Sequence, residues 1–197
     1  MKNFSLTRVL AITTSGYSQL NNNYIERYCS MRETLLNKDV TKDEDFKRSF
    51  VTFFKLHRMK KEHKDCYFEI LEQEKTKFCI SYSTILNELF DITQRVETSF
   101  SSKLISIIEP NRPVWNSIVA KYFSIQRIGN NKIERIKSSV KMYAQLEAAV
   151  PPLLVTSEFL ELKMHFDKVF PKTKYLTDTK ILDFSLRGCR EKGGVNG

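Results

Sequence analysis

The apolar residues of this chain recur every three or four positions, which is the period of an α-helix rather than of a β-strand. A clear example is one stripe of aromatic residues: Phe46, Phe50, Phe53 and Phe54. No segment alternates polar and apolar residues for long enough to predict a sheet. The pattern therefore predicts an all-α fold, a compact multi-helix domain of roughly eight to ten short helices.

The periodic segments also predict where helices begin and end. Besides the helix that carries the phenylalanine stripe, they indicate helices over residues 20–36, 67–71, 82–92, 99–108, 115–123, 133–150, 156–170 and 176–186. Thr41 or Asp43 is expected to cap the phenylalanine helix, and Ser157 a later one, because short side-chain oxygens accept hydrogen bonds from the first turn. Pro151 and Pro152 are expected to stop the longest helix.

One face of that longest helix is predicted to point into the core: Ile133, Ile136, Val140, Tyr143 and Leu146. The chain has 197 residues, of which 41% are hydrophobic, so a single domain can bury a full core. We expect a loosely ordered segment over residues 1–17, the helical domain over 18–187 and a flexible, glycine-bearing tail over 188–197.

Cysteine spacing and hydropathy indicate the compartment. The four cysteines are widely spaced and form no CxxC pair, so no disulfide framework is predicted. No apolar run has the length of a signal peptide or of a membrane span. We therefore expect a cytoplasmic, monomeric protein with no membrane partner.

No cofactor is predicted. His57, His63 and Cys66 are the nearest approach to a metal-ligand cluster, but their spacing is not that of a structural zinc site. The chain also has no glycine-rich phosphate loop, which does not favour a P-loop nucleotidase.

The formal net charge of +9 favours a polyanionic partner, whether DNA, RNA or an anionic membrane surface. The basic residues form two clusters: Lys55, Arg58, Lys60, Lys61 and Lys64, then Lys132, Arg135, Lys137 and Lys141. Each cluster either contacts a nucleic-acid backbone or is an ordinary solvated helix face.

The segment that carries most chemistry covers residues 99–123 and reads SFSSKLISIIEPNRPVWNSIVAKYF. Ser99, Ser101 and Ser102 place hydroxyls in a first helical turn, whose free N–H groups and positive dipole end suit a phosphate. Lys103 follows them, and a lysine amine in such a place can act as a nucleophile. The alternative is that the serines are ordinary caps and Lys103 an exposed lysine.

This segment resembles F-A-S-K-L-L-H, then N-P, then P-I-Y-D-S-x-V in a group of small prokaryotic proteins. That group is similar to the 8-oxoguanine branch of the helix-hairpin-helix DNA glycosylases. Three further stretches match the group, namely DEDFKRSFVTFFKLHR at 43–58, CYFEIL at 66–71 and KILDFSL at 180–186. The resemblance to the small proteins covers most of the chain. The resemblance to the glycosylases covers only the central segment.

The resemblance implies a helix-hairpin-helix glycosylase fold, double-stranded DNA as the partner, and Lys103 as the nucleophile that attacks the sugar C1′. It also implies a damaged base flipped into a pocket between two helical halves, with Trp115, Phe100 or Tyr122 as lining residues or as core. Arg112 and Lys121, the other basic residues of the segment, join the three serines as expected nucleic-acid contacts.

The sequence departs from the family at two places. Asn116 occupies the position of the aspartate that assists the lysine, and an amide carries no charge and accepts no proton. The hairpin has serines where glycines let backbone N–H groups approach a phosphate. Glu109 lies nearby, on the turn, and is not expected to reach in.

Three functions remain open from the sequence. The first is a base-excision glycosylase or lyase that uses Lys103. The second is a DNA-binding relative that has lost turnover. The third is a protein-interaction domain, in a mobile-element or defence setting, whose basic surface has no special role.

Overall fold

The computed structural model describes residues 22–57, 59–126, 128–171 and 175–188, and within these ranges the chain forms nine α-helices and no strand. The helices are α1 Asn22–Asn37, α2 Glu44–Phe53, α3 Lys61–Glu74, α4 Tyr82–Thr93, α5 Thr98–Ile108, α6 Ser117–Tyr122, α7 Lys132–Leu154, α8 Ser157–Val169 and α9 Asp178–Gly188. The predicted all-α fold class is confirmed. The segment predicted over 1–17, and the tail over 188–197 apart from Gly188, lie outside the described residues.

The phenylalanine stripe of α2 forms one centre of the core, as the helical spacing predicts. The Phe50 ring is fully buried and contacts the rings of Phe54 and Tyr67, with centroids 4.5 and 5.7 Å apart. Phe46 and Phe68 complete the cluster, in edge-on or tilted contact with Phe50. Such aromatic pairs stabilise the fold beyond their buried area, by about 0.5–1.5 kcal/mol each.

Helix α5 lies deep in the domain and packs against α4 and α1. Its apolar residues Leu104, Ile105 and Ile107 are fully buried. Polar residues of the same helix are buried as well: Thr98, Ser101, Ser102 and Ser106. Buried hydroxyls need hydrogen-bond partners, and three of these donate to carbonyls of α5 or its N-cap, whereas Thr98 bonds Ser139 of α7 at 2.8 Å.

Two helix caps test the prediction of boundaries. Asp43 caps α2 as expected, since its side chain accepts a 2.9 Å hydrogen bond from the Phe46 N–H. The expected cap at Ser157 is wrong. Thr156 caps α8 through a hydrogen bond from the Phe159 N–H, and Ser157 is already the first helical residue.

The prediction that Pro151 and Pro152 stop the long helix is also wrong, because α7 continues through both prolines to Leu154. Proline has a helical φ, but it removes the N–H that would bond one turn back and its ring crowds the carbonyl there, so the extra turn needs compensation. The carbonyl of exposed Ala148 can bond water instead. Leu153 and Leu154 pack against the core, and this packing favours the extra turn.

The prediction that Ile133, the first residue of the inward face of α7, points into the core is wrong. Ile133 is 67% exposed, whereas Tyr143 and Leu146 are buried. The first turns of α7 extend beyond the packed body, where all five residues from Asn131 to Arg135 are exposed. Helical periodicity gives the direction of a side chain but not how far the neighbouring helices extend.

The buried phenol of Tyr67 makes stability depend on alkaline pH. Its hydroxyl donates a 3.0 Å hydrogen bond to the Phe100 carbonyl, and burial raises the pKa of Tyr67 well above the ordinary value. The folded state therefore keeps a proton that the unfolded chain releases above about pH 10, and this contribution to stability is lost as pH rises.

We predict that Tyr67→Phe lowers the free energy of unfolding by about 1 kcal/mol near neutral pH, through the lost hydrogen bond. Because the variant no longer has the tyrosine whose ionisation favours unfolding, the deficit should shrink as pH rises above about 10. Urea unfolding of both proteins at a series of pH values measures this, with Tyr175→Phe, at an exposed tyrosine, as the control. A deficit that stays constant across the alkaline range would contradict the prediction.

Candidate functional site

A cavity of about 300 Å³ opens where the start of α1, the end of α2, α5, the start of α6 and α9 converge. Its described walls include six aromatic side chains: Tyr24, Tyr28, Phe53, Phe54, Trp115 and Phe184. Both residues predicted to carry catalysis, Lys103 and Asn116, line it as well. The fold thus brings the two predicted site residues to one cavity.

Lys103 is half-buried and lies on the side of α5 that faces the end of α2. Its Nζ donates a 2.8 Å hydrogen bond to the carbonyl of Phe54, the residue that closes α2. The same nitrogen lies 4.8 Å from the ring centroid of Phe100. A carbonyl and an aromatic face hold this amine in place.

Asn116 is the N-cap of α6. Its Oδ1 accepts hydrogen bonds from the Ile118 and Val119 N–H groups, at 2.9 and 3.0 Å. Asparagine and aspartate cap helices about equally well, so the fold does not require the carboxylate that the resemblance implies here. The side chain has a structural task and no ability to accept a proton.

The three serines bond within the protein rather than presenting hydroxyls to a ligand. Ser101 and Ser102 are fully buried, and each donates to a carbonyl of the preceding turn, that of Glu97 or that of Ser99. Ser99 lines the cavity, yet its hydroxyl donates a 3.0 Å hydrogen bond to the Trp115 carbonyl. The geometry therefore does not support the expected phosphate contact, because these hydroxyls satisfy buried backbone groups.

The serines nevertheless position the site. The Trp115 N–H donates a 2.9 Å hydrogen bond to Ser102 Oγ, so Trp115 is bonded to α5 through both its N–H and its carbonyl. These two bonds hold the segment before α6 against α5. They bring Asn116 to the cavity that Lys103 lines.

The other two expected nucleic-acid contacts lie away from the cavity wall. Arg112 is half-buried and bonds Glu147, Glu109 and the Ile80 carbonyl, at 2.5, 3.3 and 2.7 Å. This set of partners makes Arg112 a structural residue. The Glu109 carboxylate is likewise engaged, because it accepts a hydrogen bond from Arg112. Lys121 is exposed on α6, where its contact with nucleic acid stays a prediction.

Of the three aromatic residues proposed for the pocket, Trp115 lines it, whereas Phe100 and Tyr122 are not among the described lining residues. Tyr122 instead packs against Phe123, with centroids 4.9 Å apart. The lining aromatics Tyr24 and Tyr28 come from α1, which no part of the sequence pattern connected to the site.

The acidic residue on the cavity wall is Asp183 of α9, which the sequence interpretation also missed. Its Oδ2 accepts a 2.8 Å hydrogen bond from Lys180 Nζ, and the two side chains are 10% and 2% exposed. Burial raises the pKa of Asp183, and Lys180 opposes that rise. The signal was present in KILDFSL, where two opposite charges three residues apart stand among apolar residues that prove buried.

The charged residues of the described lining are mostly cationic. Four basic side chains border the cavity together with that one carboxylate: Lys55, Lys103, Lys180 and Arg187. Lys55 has a φ of 56°, a left-handed conformation that non-glycine residues rarely adopt, and it sits exposed at the end of α2. Such a cavity attracts anionic ligands.

The capping role of Asn116 gives a stability prediction. Asn116→Ala should lower the free energy of unfolding by about 1 kcal/mol, because two N–H groups of α6 lose their acceptor, whereas Asn116→Asp should retain the cap. Thermal and urea unfolding of the two variants measures the difference. Equal destabilisation by both substitutions would show that the cap is not what Asn116 contributes.

Within the described part of the chain, no helix is long and apolar enough to cross a membrane. No protein-family model matches the chain. Searches among curated proteins and among solved structures find no match either. The side chains around the cavity are therefore the basis on which a function has to be argued.

Proposed function

We propose that this protein binds damaged double-stranded DNA and acts as a base-excision glycosylase and lyase, with Lys103 as the amine nucleophile, on a scaffold of the helix-hairpin-helix glycosylase type. The observation that supports this most is that Lys103 lines a concave cavity walled by aromatic and cationic side chains. An amine is the group that forms a covalent bond with a sugar carbon or its aldehyde.

The size and lining of the cavity suit a single extruded nucleotide. Its volume of about 300 Å³ is at the lower end of the range for small-molecule sites, roughly 300–1,000 Å³. Tyr24 and Phe53 are stacked at 4.3 Å on one side, and Trp115 lies on the wall formed before α6. Aromatic faces stabilise a flipped base by stacking, at about 1–3 kcal/mol per base in single-stranded complexes.

The charges suit the backbone of the same nucleotide. Lys55 and Arg187 border the cavity, and the whole chain carries a net charge of +9. Arg187 is held over the rings of Tyr24 and Phe53, 4.7 and 5.5 Å from their centroids. A neutral ligand would gain little from these cations, whereas a phosphodiester gains charge-assisted hydrogen bonds.

The chemistry follows from the amine. A neutral Lys103 Nζ forms a bond with C1′ while the C1′–N bond to the base breaks. The electron pair of the broken C1′–N bond leaves with the base. The base takes up one proton, and Nζ gives up one. Ring opening then leaves a Schiff base between Lys103 and C1′, which borohydride reduces to a stable secondary amine.

A DNA-binding protein without turnover is the second candidate. It is favoured by the hydrogen bonds that engage the predicted catalytic groups, since Lys103 bonds the Phe54 carbonyl and Asn116 caps α6. In that case the cavity would accept a base or an abasic sugar without covalent attack. The two candidates differ in whether an adduct forms and agree on salt-sensitive DNA binding.

We predict that borohydride traps a covalent complex between the protein and a duplex that carries an abasic site or 8-oxoguanine, and none with undamaged duplex. Lys103→Ala should abolish the adduct. Lys168→Ala is the matched control, because it removes an exposed lysine that neither lines the cavity nor belongs to the expected DNA contacts, and it should leave trapping intact. Denaturing electrophoresis of labelled DNA measures the adduct.

The other outcomes separate the alternatives. An adduct that survives Lys103→Ala would move the nucleophile elsewhere. Binding that weakens steeply with salt but gives no adduct would support the catalytically silent relative. Neither binding nor adduct would remove the role in DNA altogether.

A further inference from the structure

Asp183 is a largely buried acidic group on the cavity wall, and its partner Lys180 also donates a 3.4 Å hydrogen bond to the Arg112 carbonyl. Glycosidic bonds break through a transition state with positive charge on the sugar. A wall that carries Lys55, Lys180 and Arg187 beside the neutral nucleophile disfavours such a charge. Asp183 is the acidic side chain among the described lining residues, so it has the sign needed to offset them.

The hydrogen bonds of Asp183 leave it able to act on a ligand. Oδ2 accepts from Lys180 Nζ at 2.8 Å, and Oδ1 accepts from the Val114 N–H at a long 3.5 Å. A carboxylate offers about four acceptor positions, so these two bonds leave capacity on the side that lines the cavity. Val114 lies two residues before Asn116, so the carboxylate borders the same segment as the cap of α6.

Burying the Lys180–Asp183 ion pair costs the fold stability. Lys180 and Asp183 are 2% and 10% exposed, and removing such charges from water costs several kcal/mol per ion before their attraction is counted. An apolar pair of similar volume would often serve a core as well or better. A function that requires charge at the cavity wall explains why charged residues are placed here.

We propose that Asp183 is a catalytic carboxylate of this cavity, whose negative charge stabilises the cationic sugar as the base departs. The proposal rests on the glycosylase function proposed above. The carboxylate, which stays paired with Lys180, forms no bond in the step: Nζ–C1′ forms, C1′–N breaks, the electron pair leaves with the base, and the proton lost by Nζ reaches the base through solvent. Asp183 thereby supplies the charge that the Asn116 amide lacks.

The test compares two reactions of one protein. Release of 8-oxoguanine from a duplex passes through the cationic sugar, whereas trapping on a pre-formed abasic site requires only the amine and an aldehyde. Asp183→Asn keeps the shape of the side chain and an acceptor oxygen for Lys180. Thermal unfolding checks that the variant folds, and single-turnover rates measure both reactions. Asp178→Asn is the control, since Asp178 belongs to the same helix and pairs with Lys163 away from the cavity wall.

We expect Asp183→Asn to slow base release by about 100-fold, the effect typical of losing one preorganised electrostatic group, and to change abasic-site trapping only a few-fold. Asp178→Asn should change neither. The double variant Asn116→Asp/Asp183→Asn should recover about tenfold or more in base release, because it returns a carboxylate to the same cavity while keeping the cap. If the Lys180–Asp183 pair were purely structural, base release would not be slowed more than abasic-site trapping, and the double variant would not regain base release.

Other results overturn the proposal in distinguishable ways. Base release at the wild-type rate by folded Asp183→Asn would overturn the role of Asp183 and leave the glycosylase function standing. Equal loss of both reactions without recovery in the double variant would reduce Asp183 to a partner for Lys180. Wild-type protein that neither releases base nor forms an adduct would overturn the proposed function and this role together. If Asp183→Asn does not fold, Lys180→Met/Asp183→Asn, which leaves no unpaired buried cation, is compared with Lys180→Met, so that the two variants differ only in the carboxylate.

Discussion

The burial of α5 determines where the cavity forms. Its apolar residues are enclosed, so its hydroxyls are enclosed too, and each unsatisfied one would cost about 1–3 kcal/mol. Ser101, Ser102 and Ser106 meet this requirement by donating to carbonyls of α5 or its N-cap, and Ser99 and Ser102 in addition bond the carbonyl and the N–H of Trp115. The two bonds to Trp115 hold the chain that leaves α5 at Pro110 alongside the helix, and this return creates both the wall at Trp115 and the cap at Asn116.

The parts of the fold that depend on local pattern were predictable, and those that depend on distant partners were not. The phenylalanine stripe of α2 and the cap at Asp43 follow from neighbours within one helical turn. The extent of α7 depends on how Leu153 and Leu154 pack against the rest of the core, so the prolines alone gave the wrong end. Helix α3 is longer than predicted, because polar residues on either side of its short apolar centre continue the helix without any periodic signal.

The same distinction explains the site. Lys103 and Asn116 were identified from one contiguous segment, and both line the cavity. The serines of that segment have a chemistry that suits either a phosphate or a buried carbonyl, and only the position of Trp115 decides between them. Asp183 lies 80 residues beyond Lys103 in the chain, and Tyr24 almost 80 residues before it, so no spacing rule connected them to the segment. Charges three residues apart in an apolar helix were the one available signal.

Asn116 shows why a missing carboxylate at that position is weak evidence about activity. The N-cap needs an acceptor oxygen, and asparagine and aspartate supply it about equally, so exchange between them is nearly neutral for the fold. Any cost of the exchange therefore falls on chemistry alone. That cost is smaller where a second carboxylate borders the same cavity, because the field at the sugar depends on the total charge around it rather than on one position. With Asp183 on the wall, the cavity keeps an amine, an acidic group and aromatic side chains, on which the proposed cleavage of a flipped nucleotide depends.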